Sequence, residues 1–394
     1  MLNKMIILSS ISIKVLLPLM ILIGIIALIP LIKSLLKIKR TILFSLEFLI
    51  GLILSMIPYF QKVFINSFSE GLYIISLAFF LFLSGLDIDF SVFKHKEKEP
   101  SILRWSLKLL LIIYLLGFGI SFFFKNEILH NFWYGIILIT IFFTSTFASI
   151  VIPVVHHKKG ASSITIGKIL CTYASFAELL SIIFLSIMMI VMKSNQNAKP
   201  WLLGVIVVNL FILILLKKLN KLNQISFFIA LFLLLLFIIL SEQAGVELIL
   251  GAFLLGAVLK WCGLNQNTFK TIEHLGYDFL IPIFFIIVGF KIPLMDLNRQ
   301  IIIFTLIILF ALLIVKAPFL FLFKYDKSRN ILPIYLLSTS TLIVALGIDH
   351  FNLLTFDLSK AMIIASSITI LFSPLLFEIL FVPPNNDNIT KIMH

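Results

Sequence analysis

The stretch "TYASFAELLSII" (172–183) sets Glu178 in an otherwise apolar run, with no basic residue nearer than Lys168 on one side and Lys193 on the other. The ten positions from Lys168 put the carboxyl ~15 Å along a helix, near the middle of a bilayer. A charged side chain at that depth is costly and is kept where it faces a cavity, a partner or an ion. Ser175 and Ser181 lie three residues to either side and share its helical face, forming a short polar stripe. The alternative is a protonated glutamate hydrogen-bonded to a neighbouring helix for packing alone.

Lys316, in "LLIVKAPFLF", is the second expensive residue. It precedes Lys324 by eight positions, ~12 Å in depth, so Glu178 and Lys316 reach a similar level from the same side. An ion pair between them is one expectation; a lysine that snorkels to the interface is the other. Thr144, Ser145 and Thr146, and likewise Ser338, Thr339 and Ser340, bring hydroxyls and, where their helices unwind, carbonyls. These are hard oxygen ligands suited to a partly dehydrated Na+ or Li+, with Glu178 supplying the negative charge. For any single hydroxyl the competing reading is a bond back to its own helix. Glu47 is buried by position and reads first as a packing residue. His156 and His157 read as interfacial, and Asp87, Asp89, Asp278, Asp296 and Glu378 as solvated span ends. No phosphate-binding glycine loop, paired-histidine zinc motif or Ser/His/Asp constellation is present, and the two cysteines lack ligand-like spacing, so neither an enzyme nor a cofactor is expected.

The elements that must hold these residues are membrane helices. Of 394 residues, 61% are hydrophobic and 12% charged, outside the range of soluble domains. Thirteen apolar spans are expected, near 15–32, 41–59, 71–87, 103–124, 132–155, 165–192, 200–216, 225–241, 246–263, 277–293, 300–323, 331–348 and 360–382. With the N-terminus outside, the inside loops collect 21 Lys and Arg against 9 outside. A missed span would invert every later loop, so the sustained bias supports both the count and the orientation, with the C-terminus cytoplasmic. The net charge of +13 is explained by this topology, and no nucleic-acid partner is expected. The N-terminus shows no small-residue cleavage site and is expected to stay in the mature chain. After the last span about a dozen residues remain, too few for a regulatory domain.

Similar segments recur at an offset of roughly 200 residues, seven spans apart: "FLFLSGLDIDF" with "IFFIIVGFKIPLMDL", and "TSTFAS" (144–149) with "STSTLIV" (338–344). Seven is odd, so the halves are inverted, a pattern secondary transporters use to place broken helices around an ion.

Taken in order, four segments resemble the second branch of the cation/proton antiporter superfamily, the sodium/proton and potassium-efflux type exchangers. "SLEFLIGLIL" is similar to its second span, with Glu47 and Gly51; "FLFLSGLDIDF" to its third; "LILGAFLLGAVL" to its ninth; and "PIFFIIVGFKI" to its "P[IL]FFxxxG" segment, the most specific of the four. The resemblance covers nearly the whole chain. It implies an all-α polytopic fold of 13 helices in one integral membrane domain over 1–394. Residues 1–93 and 225–293 form a dimerising panel, 101–192 and 300–382 a moving core, and 200–216 a linking helix. The crossed broken helices would be spans 5 and 12. The family's ion-binding acid pair falls on Ala177 and Glu178, and its core lysine on Lys316. Ala177 departs from that pattern, since it cannot ionise, so Lys316 must pair with Glu178 directly or stay neutral.

The expected function is monovalent cation/proton antiport, Na+ for H+ first, in a bacterial-type plasma membrane, with lipid and a second copy as partners and cation and proton competing for Glu178. Na+, Li+ and K+ are not separated at this stage. An uncoupled cation channel or K+ efflux pathway, and a transport-dead sensor that keeps the fold, stay open as alternatives.

Overall fold

Runs rich in Leu, Ile and Phe leave the backbone no water to bond with in hydrocarbon, so each run closes its own hydrogen bonds as a helix. The computed structural model describes residues 2–36, 43–64, 67–86, 100–146, 148–157, 165–193, 227–244, 248–262, 265–292, 297–324, 332, 335–336 and 342–381. Over these the chain is helical: α1 (Leu2–Leu36), α2 (Leu43–Ser55), α3 (Pro58–Phe64), α4 (Ser67–Leu86), α5 (Pro100–Ser121), α6 (Phe132–Thr144), α7 (Ala148–His157), α8 (Thr165–Lys193), α9 (Phe227–Ala244), α10 (Leu248–Cys262), α11 (Gln266–Leu275), α12 (Ile281–Phe290), α13 (Arg299–Lys316), α14 (Leu342–Phe351) and α15 (Phe356–Leu380). Short 3-10 segments, Phe122–Glu127 and Ala317–Lys324, extend α5 and α13, and a π turn, Gly276–Leu280, joins α11 to α12.

Among the described residues six helices are long and apolar enough to cross a membrane, and five shorter apolar helices accompany them. The expected span at 200–216 lies outside the described residues, as do Asp87, Asp89 and Asp296. Three expected boundaries move. Pro58 starts the separate short helix α3, so the second span stops at Ser55. The stretch before the tenth span is helical, because Asn265 caps α11 by accepting from the Asn267 N–H at 3.1 Å. In the eleventh span the α-helix ends at Lys316, since Pro318 lacks the N–H that would continue the ladder, and Ala317 turns to a 3-10 bond with the Ile314 carbonyl.

Packing falls into two sets. In one, α2 lies on α12, and α4 on α10 and α12; in the other, α5 lies on α6 and α8, and α13 and α14 on α15. Two crossings in the first set are made by glycine. A Cβ on Gly51 would fall on the Ile286 carbonyl and one on Gly289 on the Phe48 carbonyl; Gly85 and Gly256 stand in the same relation to Phe253 and Phe82. Both crossings bring backbones into contact, as small residues do in membrane helix pairs. Each glycine has its counterpart about 200 residues away in the other crossing, the offset expected for an inverted repeat. The two sets meet where α2 touches α15, with Ser45 donating to the Ile370 carbonyl at 3.0 Å, and where α4 touches α7. On α5 the large residues Leu107, Leu111, Leu115 and Phe118 are exposed at three- and four-residue spacing, a face suited to lipid. At one end of the second set, Ile128 and Leu354 form an antiparallel bridge, and Thr355 donates to the Glu127 carboxylate at 2.6 Å.

Candidate ion-binding site

The fifth span is broken. α6 ends at Thr144, Ser145 turns extended (φ −58, ψ 148), and α7 starts at Ala148. The last carbonyls of α6 are thus left without a helical donor, and they carry the negative end of its dipole. Lys316 answers both needs. Its Nζ donates to the Thr144 carbonyl at 3.1 Å, the Ser145 carbonyl at 2.9 Å, Thr146 Oγ1 at 2.7 Å and Tyr173 Oη at 3.0 Å, four acceptors around an ammonium that is 2% exposed. Tyr173 in turn donates to the Thr144 carbonyl at 3.2 Å and sets its ring edge-on to Phe319. The lysine therefore holds the end of α6. The direct Lys316–Glu178 pair that the missing second acid suggested is replaced by this cap, and Glu178 is not among the ammonium's partners.

Glu178 is completely buried on α8. Ser84 of α4 donates to its Oε2 at 3.0 Å, so the carboxylate sits where the two helix sets meet. Ala177 beside it is also fully buried and contributes only its carbonyl, which takes the Ser181 hydroxyl at 2.6 Å.

Among the described residues, most of the expected hydroxyl ligands are hydrogen-bonded to their own helices. Thr144 donates to the Thr140 carbonyl at 2.9 Å, Ser145 to Phe142 at 2.9 Å and Ser175 to Cys171 at 3.0 Å. In these bonds the hydroxyl acts as donor, and a hydroxyl oxygen can in addition accept. Thr146 receives a bond from Lys316 instead. Ser338, Thr339 and Ser340 lie outside the described residues. Glu47 is buried on α2, which packs on α12, α15 and α3, and its Oε2 has no hydrogen-bond partner among the described residues. His156 is exposed at the end of α7.

Sequence reasoning passed over Tyr173, Ser84 and Tyr114. Tyr173 and Ser84 had a signal: each stands in a segment quoted for other reasons, one turn or so from a residue already singled out. Tyr114 had none, being one aromatic in an apolar run, yet it lies beside Thr144 and Ser181.

A bundle of membrane helices whose polar centre sits at a helix break has the general form of a secondary transporter. Comparison with known proteins narrows that class. The sequence profile of the sodium/hydrogen exchanger transmembrane family matches residues 21–382, and the chain belongs to that family. Among relatives carrying Na(+)/H(+) antiporter names, YjbQ of Bacillus subtilis (strain 168) is 27% identical over 343 residues, 80% of this chain and 55% of that protein. Antiporter 3 of Methanocaldococcus jannaschii is 24% identical over 78% of this chain and 82% of its own. NhaS4 of Synechocystis is 27% identical over 61% and 64%. The match thus spans about half the length of the Bacillus relative. The solved sodium proton antiporter MjNhaP1 of Methanocaldococcus jannaschii superposes with a TM-score of 0.57 at 20% identity, covering 91% of this chain and 96% of that one, a likeness of fold.

Proposed function

We propose that the chain exchanges one monovalent cation, Na+ first, for one proton, with both ions competing for the Glu178 carboxylate. The observation that carries this reading is the position of a fully buried carboxylate at the meeting of two helix sets while the core lysine is engaged by the end of α6. Lys316 then keeps a constant task through the cycle, and the charge that is balanced now by a metal ion and now by a proton is that of Glu178. Ala177 supplies no second acid, so one carboxylate carries one charge each way and the exchange is electroneutral.

The finer architecture belongs to the same proposal. The set containing α1–α4 and α9–α12 acts as a fixed, dimerising panel. The set containing α5–α8 and α13–α15 acts as the core that carries Glu178 past Ser84. The chain forms thirteen spans in a plasma membrane with its N-terminus outside, and spans 5 and 12 cross at their breaks. Internal packing within each set and the sparse contacts between sets support this division.

The test is exchange in proteoliposomes loaded with Na+, Li+ or K+, read by an internal pH dye, with and without an imposed membrane potential. Cation-driven proton movement that the potential leaves unaffected, and that Glu178→Gln abolishes in protein that still folds, is the expected result. Cation current with no proton movement would make the chain a channel, and no ion-dependent flux from folded protein would make it a sensor.

A further inference from the structure

Ser45 and Ser84 both reach from the first helix set to the second. Ser45 of α2 donates to the Ile370 carbonyl on α15, and Ser84 of α4 donates to Glu178 Oε2 on α8, each at 3.0 Å. The two bonds match in length and differ in what accepts them. A carbonyl keeps the same partial charge whatever ion the protein carries. A carboxylate loses its charge when a cation or a proton is loaded onto it, so of the two bonds only that of Ser84 changes strength with load.

A buried helical serine commonly turns its proton back on its own helix, as Ser121, Ser175 and Ser181 do toward carbonyls four residues earlier. Ser84 sends its proton off α4 instead, and both partners are closed to solvent, Ser84 at 2% exposure and Glu178 at 0%. The backbone under Ser84 is in no position to follow the carboxylate. A Cβ on Gly85, the next residue, would fall on the Phe253 carbonyl, and one on Gly256 would fall on the Phe82 carbonyl, so the turn that carries Ser84 is pinned to α10 on both sides. When α8 moves relative to α4, the bond must break. The serine can then bond back to its own helix; a bare carboxylate loses a donor.

A hydrogen bond to an ionised acceptor is roughly twice as strong as one between neutral groups. A bare Glu178 therefore holds Ser84 firmly, and a Glu178 neutralised by Na+ or H+ holds it weakly. We propose that Ser84 is a coupling latch: it keeps Glu178 from crossing while the carboxylate is empty and releases it once either ion is bound. Exchange needs such a device. A carrier that returned empty would take Na+ one way and nothing back, moving net charge in each cycle and no proton. Ser84 acts here as a positioning residue, through the carboxylate that binds the ion.

This inference rests on the exchange reading, and the experiment separates the two. Full-length protein in proteoliposomes, with radiolabelled Na+ and an internal pH dye, gives the Na+ moved per proton, with and without an imposed membrane potential. Wild-type protein is expected to move them one for one. In Ser84→Ala the Na+ that moves without a proton is expected to rise about tenfold or more, as the loss of a hydrogen bond to a charged group implies. That leak should follow the potential and lift the ratio above one. Ser84→Thr keeps the hydroxyl and restores the ratio. Ser45→Ala loosens the same boundary at an acceptor of constant charge, and its ratio stays at one. Where Ser84→Ala fails to fold, Ser84→Cys, of similar size and a weaker donor, is expected to leak in the same sense. A ratio of one in the folded Ser84 variant, an equal leak in Ser45→Ala, or a leak in Ser84→Thr as large as in Ser84→Ala overturns the latch. Wild-type protein that moves no protons overturns the exchange reading instead.

Discussion

Lys316 shows how a membrane core holds a lysine whose hydrogen-bond partners include no carboxylate. Four oxygens surround the ammonium, two of them carbonyls at the negative end of α6. Removing the lysine strands those carbonyls, at about 1–3 kcal/mol for each buried group left unbonded. Lys316→Met is therefore expected to lower the melting temperature of the detergent-solubilised protein by several degrees. Tyr173→Phe, which removes one donor to Thr144 and one acceptor from Lys316, should give a smaller drop in the same scan. An equal or larger loss in Tyr173→Phe would show that the tyrosine, not the lysine, caps α6. Burial was legible in the sequence for Glu178 and Lys316, because an ionisable residue inside a long apolar run is carried into the bundle with its helix. Bonding partners were not. Whether an ammonium meets a carboxylate or a helix end depends on which way two helices face each other, and one chain read in one dimension does not carry that.

At the level of elements, the glycine crossings decide more than the apolar runs around them. A methyl group at Gly51 or Gly256 has no side chain to push aside, only the carbonyls of Ile286 and Phe82. Gly51→Ala and Gly256→Ala are each expected to cut the yield of folded protein severely, measured by size-exclusion profile after extraction. Gly119→Ala, on α5 with nothing near its Cβ position, should be neutral or slightly stabilising, because alanine is the better helix former by about 1 kcal/mol. Comparable losses at Gly119 would mean that glycine acts through helix flexibility and not through close approach. The motifs that carried the resemblance contain these glycines, so the pairing of span 2 with 10 and of span 3 with 9 was half visible in sequence: the residues were there, their partners were not. The break in span 5 was visible in the same way, as a Ser/Thr cluster. Its boundaries came from Thr144 and Ser145 bonding back to their own helix.

For the whole molecule, the two sets predict different responses to cross-links. In a background lacking Cys171 and Cys262, cysteines at Ser45 and Ile370 join the sets and should stop exchange when bridged by a short thiol cross-linker, with recovery on reduction. Cysteines at Ser106 and Ile169 lie within one set, where the Ser106 hydroxyl meets the Ile169 carbonyl at 3.1 Å, and bridging them should leave exchange intact. Exchange that survives the first bridge would rule out movement of one set past the other. Composition and charge bias made the membrane class plain from the sequence, because hydrocarbon tolerates so few backbone solutions. The assignment of helices to sets depends on contacts between residues far apart in the chain, as Gly51 and Ile286 or Gly85 and Phe253 are, and no local pattern encodes them.

The glycine crossings have a mechanical consequence. Where Gly51 and Gly289 face Ile286 and Phe48, the contact consists of backbone on backbone, with Cα hydrogens turned toward carbonyl oxygens. A joint of that kind contains no rotamers, so it cannot yield by letting side chains swing. Load applied to one helix passes straight to the next, and the four helices tied by the two joints behave as a stiff plank against which softer, side-chain-filled contacts can slide.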